Sequence, residues 1–442
     1  KWNHRADLNT RGFFEPSISL EYGKTTQLLH KVYMKMIINN NLRKLANSAC
    51  NELKFMDFLN KNRCDAYLRI YVFVFFVVFF ITFLIDGKKF LADFKLGGDF
   101  ILFWAASSQI FHGHFSDIYN TAAHEAAMQS GQFLNHPYKL PFLYPPPMLL
   151  FIWPIAFFTY SLSYTLWALS APILTAKSLN LLCKNWSIAA FAFFSPQFVI
   201  SLLTGQNGLL IALILTLGIF YLEGKPFISG LILGLLVIKP HVVFLVPLCL
   251  IFSRQWRIVA GMATSASLMI ILSYCVFGLE TWKRFFEYSH TMQSSILHDV
   301  FLCQIFITIF GFLSVHGLPF IAAFWIQITF SLIVIACALY NTIKRKNIYN
   351  NVILCLAASP LCTPYLLHYD LTYVLIPAIW VINTALRTGF FSWEKPFLIF
   401  LYFSPFFTLT LTWRFHFPAE PLFATIFLAL VLRRYHFLEK HT

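Results

Sequence analysis

Charge is scarce in this 442-residue chain: Asp, Glu, Lys and Arg together make up 12% of it, against a hydrophobic share of 58%. Mean hydropathy is +0.66. Soluble domains carry about a quarter of their residues as charge, so a water-soluble globular fold is excluded and a polytopic membrane protein is implied. Acid is scarcer than base, 19 Asp and Glu against 33 Lys and Arg. The resulting +14 balance does not point to nucleic acid, because the basic residues are scattered through short loops and tails, with no stripe interleaved with aromatics. They read instead as topology determinants. The nine cysteines stand singly, with Cys249, Cys275, Cys337 and Cys355 inside apolar runs. That spacing gives neither a disulfide framework nor a C-x-x-C metal site, and they read as small core hydrophobes.

Several chemical signatures are also missing. There is no G-x-x-x-x-G-K-[ST] loop, no G-x-G-x-x-G after a strand, no H-E-x-x-H and no G-x-S-x-G. ATP hydrolysis, dinucleotide redox chemistry, zincin proteolysis and an elbow-type serine hydrolase are thereby disfavoured. Nothing resembles an Asp-x-Asp metal site in the loops, so no obligatory metal and no cofactor is expected.

What is present is a series of apolar runs. The first, Tyr67 to Ile85, is long enough to cross a bilayer as a helix. It starts too late, and lacks the small-residue cleavage site, to read as a signal peptide. Further runs follow over Tyr144 to Tyr160, Tyr164 to Cys183, Ile188 to Thr204, Gly208 to Tyr221, Phe227 to Phe252 and Ile258 to Phe277. The last are Leu318 to Ile343, Val352 to Leu366, Leu371 to Ala385, Phe397 to Leu411 and Pro421 to Leu432. The expectation is an all-α polytopic membrane protein of about twelve transmembrane helices. Residues 1–66 read as an N-terminal cytoplasmic extension, polar and unpatterned as a disordered segment would be. Of these, residues 1–55 look like an upstream piece of little functional weight. Residues 67–436 form the membrane domain and 437–442 a cytoplasmic tail.

With twelve spans, the basic clusters Lys61 and Arg63, Arg254 and Arg257, Lys344 to Lys346, Arg387 and Lys395, and Arg433 and Arg434 share one side. The positive-inside rule makes that side cytoplasmic. The loop over 86–143, the segment 278–317 and the turn at His368 then face outward. In the first outer loop, Phe100 to Phe111 reads as an amphipathic interfacial helix and Ser116 to Gly131, opened by Ser or Asp, as a second. Tyr144 and the prolines that follow fix the entry of the next helix.

Among the few acids, Asp99 in Leu96-Gly97-Gly98-Asp99-Phe100 sits just beyond the first run. A carboxylate there suits a general base acting on a hydroxyl acceptor; the competing role is an N-cap for the helix at Phe100. With no nucleotide motif present, an activated substrate arriving through the lipid fits best: a sugar on a polyprenyl phosphate. Lys239, in Val237-Ile238-Lys239-Pro240-His241, interrupts an apolar run and reads either as a ligand for the donor phosphate or as a snorkelling lysine. His368 and Arg414 are the other phosphate candidates. Tyr144, Gln206, Asn207 and Asp370 are the substrate-facing candidates. For Gln206 and Asn207 the span count conflicts with that role, since it places their turn on the cytoplasmic side, where they could only cap helices. Asp370 is read as orienting His368 or capping the following helix.

The strings GGDFILFWAASSQIFHGHFSDIY, LYPPPMLLFIWP, LLTGQNGLLIALIL and GKPFISGLILGLLVIKPHVVFLVPL, ending in RQWR, resemble glycosyltransferase family 87 of the GT-C superfamily in order and spacing, over about Tyr67 to Arg434. That resemblance implies a polyprenol-phosphate-mannose-dependent transferase with a GT-C-type bundle and the matching Asp99 as its base. It further implies an inverting displacement, a lipid or glycan acceptor, and a site on the extracytoplasmic face of the plasma (inner) membrane. The rival classes are a transporter of lipids or lipid-linked sugars and a membrane scaffold.

Overall fold

The computed structural model describes residues 97–130, 140–297, 303, 305–415 and 417–441, and these are helical throughout, with no strand among them. The first apolar run and residues 1–66 lie outside the described residues. Five helices are long and apolar enough to cross a membrane: Tyr160–Cys183, Trp256–Met292, Phe320–Ile343, His368–Thr388 and Glu420–Leu438.

The chain begins with the Gly97-Gly98-Asp99 turn and α1 (Phe100–Phe111). Helix α1 was expected to lie amphipathically along the interface. Instead its buried residues include Phe100, Ile101, Leu102, Phe103, Ala105 and Ala106, a consecutive run that no single stripe accounts for. Its polar residues are engaged inward, with Ser107 Oγ donating to Trp153 O at 2.8 Å and Trp104 Nε1 to Phe158 O at 3.1 Å. A 3-10 turn (Ser116–Tyr119) leads to α2 (Thr121–Gln129). The cap of α2 is Asn120, whose Oδ1 accepts from Ala123 N at 3.1 Å. Ser116 and Asp117 fall in the preceding turn, so the expected capping residue is corrected.

The expected span Tyr144 to Tyr160 does not form as a continuous helix. Pro145, Pro146, Pro147 and Pro154 remove donors and interrupt the ladder, leaving a 3-10 turn at Pro146–Met148, the four-residue α3 (Leu149–Ile152) and another 3-10 turn at Ile155–Phe157. Both ends stay at one place: Tyr144 Oη donates to Gln206 Oε1, while Tyr160 Oη donates to Gly97 O at 2.6 Å. Removing that crossing changes the parity of everything after it. Helix α4 (Tyr160–Cys183) leaves from the Gly97 turn, and α5 (Trp186–Phe193) and α6 (Pro196–Thr204) bring the chain back to it. The Thr204–Asn207 turn therefore shares an end with Asp99, not the opposite end.

The expected span Phe227 to Phe252 is likewise two pieces. Helix α7 (Gly208–Phe220) leads away from the Asp99 end, and α8 (Pro226–Gly234) with the 3-10 turn Leu235–Ile238 leads back to Lys239. Then α9 (Pro240–Val243) and α10 (Leu245–Phe252) leave again. Lys239 at φ −151°, ψ 67° is the non-helical apex, as expected before a proline. Gly230 and Gly234 let α8 pack parallel to α11 (Trp256–Leu297) at backbone contact. A Cβ at Gly230 would stand 2.1 Å from Ile258 O, and one at Gly234 would stand 2.5 Å from Met262 O. Helix α11 breaks at Gly278 and continues, setting Phe277 against Phe115 and Phe285 against Tyr119.

The remaining helices are α12 (Ile309–Val315), α13 (Phe320–Ile343), α14 (Ile348–Ala358), α15 (Leu375–Thr388), α16 (Glu394–Phe415) and α17 (Glu420–His441). The basic clusters within the described residues gather at the end reached by α15 as it runs away from Asp370. Arg345 donates to Tyr435 O at 3.1 Å, and Asn351 bridges Arg345 O and Ser253 Oγ. Arg434, wholly buried, pairs with Glu394 and donates to Thr388 Oγ1 at 2.8 Å and Gly389 O at 2.9 Å.

Candidate active site

Two loops are sewn together to make the site. Gly97 N donates to Leu203 O at 2.8 Å and Asp99 N to Thr204 O at 3.0 Å. Gly205, at φ +73°, permits this approach: a Cβ there would fall 2.6 Å from Phe100 Cβ and 3.2 Å from Gly97 Cα. On the other flank, a Cβ at Gly208 would stand 2.3 Å from Tyr369 O. The Thr204-Gly205-Gln206-Asn207-Gly208 turn is thus wedged between the Asp99 turn and the Tyr369–Asp370 segment, which explains its glycines. Between them, Gln206 and Asn207 are buried.

Asp99 occupies the N-cap position of α1 but makes no side-chain cap bond. Its carboxylate turns to Gln206, whose Nε2 donates to Oδ2 at 3.1 Å. Gln206 Oε1 in turn accepts from Tyr144 Oη at 2.9 Å. Tyr144 is held by Tyr119, whose hydroxyl donates to Tyr144 O at 2.9 Å. Burial pushes the Asp99 carboxyl above the usual carboxylate range, while the Gln206 hydrogen bond and the positive charge of Lys239 act to bring it back.

Beside this chain lies a buried ion pair. Lys239 Nζ donates to Asp370 Oδ1 at 2.5 Å and to Asn207 Oδ1 at 3.3 Å, and it stands 5.4 and 5.0 Å from the ring centroids of Tyr144 and Tyr369. Asp370 Oδ2 accepts from Leu367 N at 3.3 Å. Lys239 is therefore no snorkelling lysine: it is 5% exposed and its partner Asp370 is 4% exposed. Its charge is compensated inside the protein, which differs from an ammonium held free for a phosphate. Asn207 Nδ2 is buried and has no hydrogen-bond partner among the described residues.

The structure thus brings together Asp99, Tyr144, Gln206, Asn207, Lys239 and Asp370. His368 looks elsewhere. Its carbonyl accepts from Gln197 Nε2 and its Nδ1 stands 3.3 Å from Glu420 Oε1, at a small cavity walled by Leu371, Leu401, Pro405, Phe423 and Phe427. A phosphate placed there would meet the Glu420 carboxylate. Asp370 faces Lys239 and does not orient His368. Arg414 takes its place in the last turn of α16. Among the described residues no three His, Cys, Asp or Glu side chains converge as a metal site requires.

Sequence reasoning missed Tyr369, Tyr119 and Glu420. Tyr369 adjoins Asp370, so its place at the site could have been inferred with it. Glu420 carried a signal as a lone acid opening an apolar helix. Tyr119 carried none, since its contact with Tyr144 spans a proline-rich loop.

No curated protein and no solved structure matches the chain. A sequence model of the family described as Glycosyltransferase family 87 matches residues 142–364, about half of the chain. The matched stretch contains Tyr144, Gln206, Asn207 and Lys239, four of the six residues of the cluster. On that match the chain belongs to glycosyltransferase family 87.

Proposed function

We propose that this glycosyltransferase is an integral-membrane enzyme of GT-C type that moves a hexose, mannose in the first instance, from a polyprenyl-phosphate donor to a lipid or glycan hydroxyl. Asp99 is the general base. The acceptor oxygen attacks the anomeric carbon, the bond from that carbon to the phosphate oxygen breaks, and the acceptor's proton passes to Asp99. Because attack is opposite the departing phosphate, configuration inverts.

The observation that carries this reading is the direction of the Asp99 carboxylate. A helix-capping Asp would point its oxygen at the N–H groups of α1; this one points into the polar cluster and accepts from Gln206. It is half-buried, so substrate has access, and its raised affinity for protons moves it towards what a base working near neutrality needs. Asn207 Nδ2 offers an uncommitted donor to a substrate oxygen. Lys239 supplies positive potential to the cluster while remaining paired with Asp370, and Arg414 is kept as a phosphate ligand. The gathering of basic residues at the far end of the helices supports an extracytoplasmic site in the plasma (inner) membrane.

The test is transfer of labelled sugar from a panel of polyprenyl-phosphate hexoses by purified protein, with wild type compared to Asp99→Asn. The expected result is transfer by wild type and a loss of at least about a hundredfold in the variant, the scale of general-base removal. Equal transfer by both would overturn the role of Asp99. Translocation of the lipid-linked sugar with no glycosidic bond broken would favour a transporter.

A further inference from the structure

An amide has two unlike ends, and in Gln206 each end meets a different kind of group. We propose that Gln206 is a positioning residue that holds one oxygen of Asp99 and leaves the other to receive the acceptor's proton, with the Tyr144 hydroxyl fixing which way the amide faces. The proposal rests on the reading of Asp99 as the base.

The geometry is specific about direction. Tyr144 Oη donates to Gln206 Oε1 at 2.9 Å, so Nε2 is the end presented to Asp99 Oδ2, at 3.1 Å. Turning the amide over would set Oε1 against Oδ2, two acceptors facing each other, which is tolerable only when Asp99 carries a proton. The Tyr144–Gln206 arrangement therefore favours the ionised carboxylate, the form that accepts a proton. Asp99 Oδ1 accepts no hydrogen bond from the described residues, so a single lone-pair direction is open to substrate.

Every part of the chain is itself fixed. Tyr144 is anchored through its carbonyl to Tyr119 Oη, and its ring lies against Phe103 and Phe142 with centroids 5.3 Å away in each case. The backbone of Gln206 is clamped between Gly205 and Gly208, where neither position has room for a Cβ. The charged groups facing the chain are Lys239 and Asp370, and they offset each other. What remains to set the carboxylate's direction and charge is the amide. Side chains held this way contribute by orientation as much as by contact.

The two roles open to Gln206, positioning residue or mere filler, give different readouts. Infrared titration of the carboxyl band of purified protein, with Asp99→Asn used to assign the band, reports the ionisation of Asp99 without any substrate. In Gln206→Leu the midpoint is expected to rise, because a bond to the charged form has been lost. The acidic limb of the transfer rate should move to higher pH with it, and kcat should fall roughly ten- to a hundredfold. Tyr144→Phe removes one oxygen and keeps the ring. It should move both midpoints in the same direction by less, and it serves where Gln206→Leu does not fold. Gln206→Asn, one methylene too short, should behave like Gln206→Leu. Midpoints unmoved in Gln206→Leu and Tyr144→Phe would overturn the proposal. If the infrared midpoint moves but Asp99→Asn still transfers sugar, Gln206 holds a carboxylate that is not the base, and the reading of Asp99 falls, taking this proposal with it. If Asp99→Asn is inactive and the rate profile of Gln206→Leu keeps its wild-type limb, the base stands and the positioning role alone is lost.

Discussion

Removing the ammonium of Lys239 tests the electrostatic core of the site most directly. In Lys239→Met the stem volume is kept, but Asp370 Oδ1 loses its 2.5 Å partner and Asn207 Oδ1 loses its 3.3 Å one. Both members of the pair are about one-twentieth exposed, so water cannot replace the lost charge. Breaking a buried pair by removing one partner costs about 3–5 kcal/mol. The single variant is therefore expected to lose that much in unfolding free energy, measured by denaturant titration in detergent micelles. Asp370→Asn should cost a similar amount by stranding Lys239. In the double variant Lys239→Met/Asp370→Asn no charge is stranded, and the new amide can accept from Leu367 N and donate to Asn207 Oδ1. The double variant should therefore be less destabilised than the two singles summed, with a coupling of about 2–3 kcal/mol, the upper part of the range for residues in direct contact. Additive losses, with coupling below about 0.5 kcal/mol, would refute the argument that Lys239 and Asp370 act as a compensated pair.

Two further outcomes follow from particular contacts. Gly205→Ala places a Cβ 2.6 Å from Phe100 Cβ in a left-handed conformation, which costs about 1–2 kcal/mol before any clash. Because the clash pushes the Asp99 turn off Gln206, sugar transfer should fall by about a hundredfold, far beyond what the stability loss explains; unchanged transfer would show that the two turns need not touch. His124, in α2, accepts or donates at Nδ1 to Gln109 Oε1 at 2.8 Å and has no partner at Nε2 among the described residues. Burial lowers its pKa from 6.5 to about 4. The folded state thus resists a proton that the unfolded state takes up, so stability is full above pH 6.5 and declines as pH falls towards 4, by on the order of 3 kcal/mol. Unfolding titrations across that window should show the decline in wild type and a flatter profile in His124→Gln.

How much of this could be read from the chain divides along physical lines. Local chemistry was legible. A lone acid after two glycines, a lysine inside an apolar run and a Gly-Gln-Asn-Gly turn are rare enough in so greasy a sequence to stand out, and the structure gathers all of them into one cluster with Tyr144 and Asp370. Crossing number was not legible. Hydropathy measures whether a segment avoids water, and both Tyr144 to Tyr160 and Phe227 to Phe252 do so whether they cross once, double back or lie inside the protein. The prolines held the missing information, since Pro145, Pro146, Pro147, Pro154 and Pro240 mark where the backbone ladder stops. A single miscounted crossing inverts the assigned side of every later loop, which is why the sequence placed Gln206 and Asn207 across the membrane from Asp99. The contradiction between their chemistry and their assigned side was itself the clue: where polar residues cluster by type but separate by counted topology, the count is the weaker inference. A buried polar group must find a partner, whereas an apolar run need not span.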